Sequence, residues 1–307
     1  MAKRSDNKNL IRAKDAKDDE FFTRYSDVAD EVEFYAEHFK DKIVYCNADN
    51  PYLSNFYKYF KNNFANLQLK KLIATNYSLT DAYKAEFDGN EETITKLNGN
   101  GDFRSEECLA LLKEADIIVT NPPFSLFREF ITTLDNYNKK FLIVVAFIAI
   151  TYNVVFPLLM NRKMWLGYNA PRSFLLPDGQ TVHPKQVATK WYTNIGVRPY
   201  IPTIKLTKKY SPERYPKFDG QKAINVDSYR NIPFDYYGVM GVPITFIEHW
   251  NDKQFDLVGV ANSGITGSFQ PKLNGEYLYA RILVRRIQYL PPDYKKFNSS
   301  SGESNGK

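Results

Sequence analysis

The run ADIIVTNPPF, Ala115 to Phe124, decides the fold: an apolar, β-branched strand ends at Thr120 and is followed at once by Asn121, Pro122, Pro123 and Phe124. Each proline fixes φ, and the second also restricts the residue before it, so the chain leaves the strand in a stiff direction. A helix from Ser125 to Leu134 follows, and then the long apolar strand KKFLIVVAF, Lys139 to Phe147. Upstream the same alternation holds. KIVYCN (Lys42 to Asn47) is a strand, Asp49-Asn50-Pro51 a turn, and Leu53 to Phe64 a helix with Phe56, Tyr59 and Phe60 on one side. KLIATN (Lys71 to Asn76) is a second strand, TITKL (Thr93 to Leu97) a possible third, and Ser105 to Lys113 a helix. Continuously apolar strands alternating with helices predict an α/β domain whose parallel sheet is covered on both faces. An amphipathic helix from Ser26 to Phe39, with Ser26 as its cap, precedes the first strand.

Downstream the pattern loosens. Trp165 to Asn169 and Val187 to Ile195 read as strands of the same sheet, the second as an edge or hairpin partner. Residues 198–241 are rich in Pro, Tyr and Lys, which suits an extended region wrapping a surface, and VPITFI, FDLVGV and ARILVRRI are later strand candidates. The expected organisation is a basic, flexible arm over residues 1–20, a catalytic domain over 21–197, a C-terminal region over 198–292 and a disordered tail over 293–307.

The 307 residues are 43% hydrophobic and 25% charged, which excludes a wholly disordered or fibrous chain. A net charge of +6 is compatible with a polyanionic partner without proving one. The unusual count is aromatic: 22 Tyr, 22 Phe and 3 Trp raise the prospect of base stacking alongside core packing. Cys46 and Cys108 do not make a disulfide scaffold, and His38, His183 and His249 show no zinc spacing, so metal chemistry is not expected and a reducing, cytoplasmic setting is. No stretch has the apolar length of a membrane span, so no membrane partner is expected.

In an open parallel sheet, ligands bind outside the carboxyl ends of the strands, and NPPF sits at such an end. Asn121 there offers an amide in a fixed direction, with an aromatic face immediately after it. On spacing alone, a rigid turn before a helix capped by Ser125 explains the tetrad as well.

The sequence resembles the EcoRI-type family of adenine-specific DNA methyltransferases. The matching segments are DDEFFTRYSDVADEVEFY, KIVYCNADNPYLSNFYKYF, GDFRS, DIIVTNPPFSLF and YGVMGVPITF, and the likeness spans roughly residues 10–290. It implies a Rossmann-like, S-adenosylmethionine-dependent fold: a mainly parallel, seven-stranded sheet with a C-terminal DNA-recognition elaboration. It also implies methyl transfer to the 6-amino group of a flipped adenine in duplex DNA, within restriction–modification. A cognate restriction endonuclease acting on the same site without a stable complex is a possible partner, and GAATTC is the first target to test. NPPF also occurs in enzymes that modify RNA adenine or protein glutamine, and a non-enzymatic nucleic-acid binder is the third reading.

The resemblance also implies roles for residues. Asn121, Pro122, Pro123 and Phe124 form the catalytic tetrad: the Asn121 side chain and the Pro122 carbonyl accept the amino hydrogens, and Phe124 stacks on the base. YCNADNP stands where methyltransferases usually have a glycine-rich loop and contains no glycine; Asp49, supported by Asn47, is expected near the amino-acid end of the cofactor, with turn capping as the alternative. Asp102 and Phe103 are expected against the cofactor adenine, although Asp102 could instead cap the helix beginning near Ser105. An acidic residue usually ends the second strand and holds the ribose; here Asn76 stands there, a weaker acceptor. Phe22, Thr23 and Tyr25 are expected to close over the cofactor carboxylate. Separately from the resemblance, the Tyr and Lys richness from Tyr200 to Phe218 makes Lys205, Lys208, Lys209, Arg214 and Lys217 candidates for DNA phosphates, with plain solvated side chains as the alternative.

Overall fold

A computed structural model describes residues 22–172, 174–175, 181–182, 188–262 and 268–288. The expected arm over 1–20, the tail over 293–307 and His183 lie outside them. The chain divides into two compact units, Met1–Tyr200 and Ile201–Lys307.

The first unit is built on an eight-stranded sheet. In chain order its strands are β1 (Ile43–Asn47), β2 (Lys71–Thr75), β3 (Tyr83–Phe87), β4 (Glu92–Lys96), β5 (Ile117–Thr120), β6 (Lys140–Ala146), β7 (Trp165–Leu166) and β8 (Thr189–Thr193). Across the sheet the order is β4, β3, β2, β1, β5, β6, β8, β7. The four central strands run parallel, with Val44 opposite Leu72 on one side and opposite Ile117 on the other. The two strands on each flank are antiparallel to their neighbours. The sheet is therefore mixed and has eight strands, where seven mainly parallel ones were expected. The unforeseen strand is β3: of its five residues only Ala85 is buried, so it lacks the apolar run that marks a central strand. It turns into β4 through Asp88, whose Oδ1 accepts from the amides of Asn90 and Glu91, and through Gly89 at φ 102°.

Alternation along the strands supplies two cores. Val44 and Cys46, Leu72 and Ala74, Ile117 and Val119, Leu142 and Val144 all belong to one apolar cluster. α1 (Tyr25–Val32) and α2 (Asn55–Asn62) add Val28, Val32, Phe56 and Phe60 to it. The residues between, Tyr45, Ile73, Ile118 and Ile143, are equally buried, and α3 (Glu106–Glu114) and α4 (Phe127–Asn136) contact β1 and β6 respectively.

The first helix departs from expectation. α1 occupies only Tyr25–Val32 and tightens into a 3₁₀ turn over Glu33–Phe39, and Ser26 lies inside it, with Arg24 in the capping position and no side-chain cap. Its buried acids hold the chain that runs on from β7: Glu31 accepts from the amides of Tyr168 and Asn169 and from the Tyr35 hydroxyl, and Asp27 accepts from the Arg172 amide. Just ahead of α1, Phe22–Thr23 pairs antiparallel with Phe174–Leu175.

The second unit holds a four-stranded sheet of β9 (Ile224–Asn225), β10 (Met240–Pro243), β11 (Phe255–Ala261) and β12 (Arg281–Arg286), in the order β9, β10, β12, β11. FDLVGV and ARILVRRI form strands as expected. VPITFI does so only through Pro243, after which Ile244–His249 is a 3₁₀ turn. No helix among the described residues is long and apolar enough to cross a membrane.

Candidate active site at the carboxyl edge of the sheet

From β1 the chain moves outward to β2, β3 and β4 on one side, then returns to β5 on β1's other side. The carboxyl ends of β1 and β5 thus flank the point where the sheet order reverses, the place where open α/β sheets bind ligands. A pocket of about 280 Å³ opens there, lined entirely by the first unit. Its walls come from the chain before α1 (Thr23), the β1–α2 loop (Ala48, Asp49, Asn50), the residue Tyr77 beyond β2, the loop before α3 (Gly101 to Arg104) and the turn after β5 (Asn121, Pro123, Ser125).

The β1–α2 loop has no glycine and still makes its sharp turn, because Ala48 takes φ 68°. Ser54 caps α2, accepting from the amides of Phe56 and Tyr57, while its hydroxyl donates to Asp49 Oδ1 at 2.7 Å. Asp49 Oδ2 lies 2.5 Å from the Thr120 hydroxyl, which also contacts the Asn47 carbonyl. The Asp49 carboxylate is thereby anchored to the last residue of β5, immediately before NPPF. Asn55 reaches across to donate to the Thr23 carbonyl at 2.9 Å, fixing the chain ahead of α1 over the same loop.

On the far wall Gly101 has φ 75°, and a Cβ there would lie 2.0 Å from the Asn76 carbonyl oxygen, so only glycine permits this approach. Asp102 next to it takes three bonds from Arg104: the amide and Nε to Oδ1, both at 2.9 Å, and Nη2 to Oδ2 at 2.6 Å. These bonds hold its carboxyl below the usual aspartate range. Helix α3 is capped by Ser105, which accepts from Cys108, so the capping alternative for the Asp102 side chain does not apply. Phe103 is buried edge-on against Phe130, at 5.2 Å between ring centres.

The family model for the adenine-specific methyltransferase EcoRI matches residues 9–287. The chain belongs to this family of adenine-specific methyltransferases. It is 41% identical to the Type II methyltransferase M.EcoRI of Escherichia coli, over 93% of this chain and 98% of the relative. The Type II methyltransferases M.MgeORF184P of Mycoplasma genitalium and M.MpnI of Mycoplasma pneumoniae are each 39% identical, covering 90% and 80% of this chain and 98% and 84% of their own. No solved structure matches the chain.

Of the residues singled out in sequence for this methyltransferase, Thr23, Asp49, Asp102, Phe103, Asn121 and Pro123 converge on the one pocket. The others are placed differently. Asn76 does not line it: its amide is occupied by the chain leading into β3, accepting from the Tyr83 amide and donating to the Asp81 carbonyl, and Tyr77 faces the pocket in its stead. Asn47 is fully buried beneath the loop, away from the lining. Tyr25 packs edge-on against Tyr59, with its hydroxyl accepting from Asn63. Pro122 is buried. Phe124 opens a 3₁₀ turn over Phe124–Leu126 and packs partly buried against the main apolar cluster. For Phe22 only the backbone is described.

Sequence reasoning missed Thr120, Ser54 and Arg104, which bond to the predicted residues Asp49 and Asp102, Ser54 and Arg104 from the pocket wall itself. A capping serine before NFYKYF was a readable signal for Ser54. Nothing local marks Thr120 or Arg104, since their partners are set by strand pairing and loop conformation.

Proposed function

We propose that the chain transfers a methyl group from S-adenosylmethionine to the exocyclic 6-amino group of an adenine extruded from duplex DNA, as the modifying half of a restriction–modification pair. The observation that carries this reading is that the NPPF turn and the GDFRS loop, from opposite ends of the 24 residues Gly101 to Phe124, wall one pocket with the β1–α2 loop. The residues fit the donor. Thr23 Oγ1 is buried on the lining without a hydrogen-bond partner among the described residues, a polar atom suited to the donor's amino-acid end. Asp49 would lie toward that same end, and Asp102 and Phe103 would take the adenine by an accepted N–H and a ring face. When bound, S-adenosylmethionine supplies an electrophilic methyl group on its sulfonium.

This chain's own task is to make a poor nucleophile reactive. The adenine amino lone pair is delocalised into the ring. Accepting its two N–H bonds at the Asn121 side-chain oxygen and the Pro122 carbonyl favours the electron-rich, more tetrahedral nitrogen, and these bonds strengthen as the transition state forms. The two prolines keep both acceptors in fixed directions. Phe124 would stack on the base through the part of its ring that the core leaves uncovered. Because the target nitrogen is stacked inside a duplex, the nucleotide must be flipped out at a cost of a few kcal/mol. The region over residues 198–292 would offset that cost by contacts to the duplex: Lys205, Lys209, Arg214 and Lys217 are exposed and Lys208 is half-buried.

Replacing Asn121 by Ala tests the chemistry. Single-turnover methylation of a duplex carrying the target should fall about 100- to 1000-fold, with S-adenosylmethionine binding nearly unchanged. A rate within about threefold of wild type would take Asn121 out of the reaction. Transfer to single-stranded RNA or to a glutamine peptide, and none to duplex DNA, would overturn the choice of substrate.

A further inference from the structure

We propose that Arg104 is a positioning residue that aims the Asp102 carboxylate at the 6-amino group of the donor's adenine and ties that half of the pocket to the helix following NPPF. The inference rests on the reading above, in which the pocket takes S-adenosylmethionine. Arg104 Nη1 donates to Glu129 Oε2 at 2.6 Å, in the first turn of α4, while its other donors grip Asp102. The neighbouring pair repeats the connection in apolar form, since Phe103 packs on Phe130 and the guanidinium lies 5.4 Å from the Phe103 ring. At its other end the loop is pinned by the approach of Gly101 to the Asn76 carbonyl. The GDFRS loop is thus fastened to β2 behind it and to α4 in front of it.

The hydrogen-bond pattern on Asp102 gives the proposal its specificity. A carboxylate offers about four acceptor directions, two on each oxygen. Oδ1 takes two bonds from Arg104 and Oδ2 takes one. One direction on Oδ2 is then left for a further N–H, and the planar guanidinium fork stops the carboxylate from rotating to offer another. A lysine at this position would keep the charge without holding both oxygens.

The test compares S-adenosylhomocysteine with S-inosylhomocysteine, whose ring carries an oxygen where adenine carries the amino group. Binding of each to the full-length protein is measured by calorimetry. A site built around a hydrogen-bonded N–H rejects the analogue that lacks it, so wild type should prefer the adenosyl ligand by about tenfold or more. In Arg104→Ala that preference should fall to about twofold or less, with Arg104→Lys in between. Glu129→Gln, which leaves the Asp102 grip in place, should retain the wild-type preference. Equal weakening of both ligands in Arg104→Ala and Arg104→Lys, with the preference intact, would make Arg104 a structural tie only and overturn the proposal. A wild type that does not discriminate would instead remove Asp102 from the adenine site, and so overturn the placement of the donor on which the proposal rests.

Discussion

At the scale of the residue, the Asp102–Arg104 pair sets a pH dependence whose sign follows from its geometry. Arg104's hydrogen bonds hold the Asp102 carboxyl below the ordinary value of 3.8, so its stabilising effect is complete above that value and is lost as the pH falls through the lower, folded one. The melting-temperature gap between wild type and Asp102→Asn should therefore be constant from neutral pH down to about 4 and narrow below it; a gap that narrows between pH 7 and 5 would contradict the assignment. Phe124 is the residue whose role is most open to experiment. Its partial burial against the core predicts a stability cost for Phe124→Ala, while base stacking predicts a rate defect that shrinks when the target adenine faces a mismatch, because extrusion is then easier. Stacking is worth about 1–3 kcal/mol per base. Single-turnover rates on matched and mismatched duplexes separate the two: a defect equal on both, with a lowered melting temperature, leaves Phe124 as a core residue. Asn121, Asp102 and Phe103 line the one pocket and could be singled out because NPPF and GDFRS are short, distinctive segments on which the family resemblance rests. Asn76 was not, because the hydrogen bonds that turn its amide away come from the loop entering β3, a strand that residue types did not announce.

At the scale of the element, α1 acts as a strut. Glu31 is fully buried and accepts two amides of the chain beyond β7 together with the Tyr35 hydroxyl, and burial raises its carboxyl above the usual range despite those bonds. Glu31→Ala would leave the buried Tyr35 hydroxyl without its partner, at about 1–3 kcal/mol, and would release the part-buried amides of Tyr168 and Asn169, so it should lower the midpoint of urea unfolding without changing its slope. Gly167 makes the approach possible: a Cβ there would lie 2.1 Å from Glu31 Oε1 and 2.7 Å from the Trp191 Cβ, so Gly167→Ala should show a similar loss. A midpoint unchanged in both variants would mean that this contact contributes nothing. The four parallel strands were readable from their apolar runs, and β1 and β5 are neighbours as a shared carboxyl edge requires. Strand β3 and the switch from α1 to a 3₁₀ turn at Glu33 were not, since a strand with only Ala85 buried and a helix whose acids are buried both break the polarity pattern that periodicity relies on.

At the scale of the whole molecule, the two units divide at Tyr200 and Ile201, close to where apolar alternation gives way to the Pro-, Tyr- and Lys-rich stretch. If the exposed cations of that stretch meet phosphates, replacing Lys205, Lys209, Arg214 or Lys217 singly by Ala should reduce the slope of log affinity against log salt by about one each. Slopes unchanged in all of the variants would return these side chains to solvent. The recognition sequence itself is a matter of groove contacts by a few side chains and has no periodic or compositional mark in the chain. It can be read from the product. Sequencing that detects 6-methyladenine in the DNA of cells expressing the protein should show near-complete adenine methylation at one short sequence, and only residual methylation with Asn121→Ala. Cells expressing well-folded wild-type protein whose DNA carries no such adenine methylation would contradict the account.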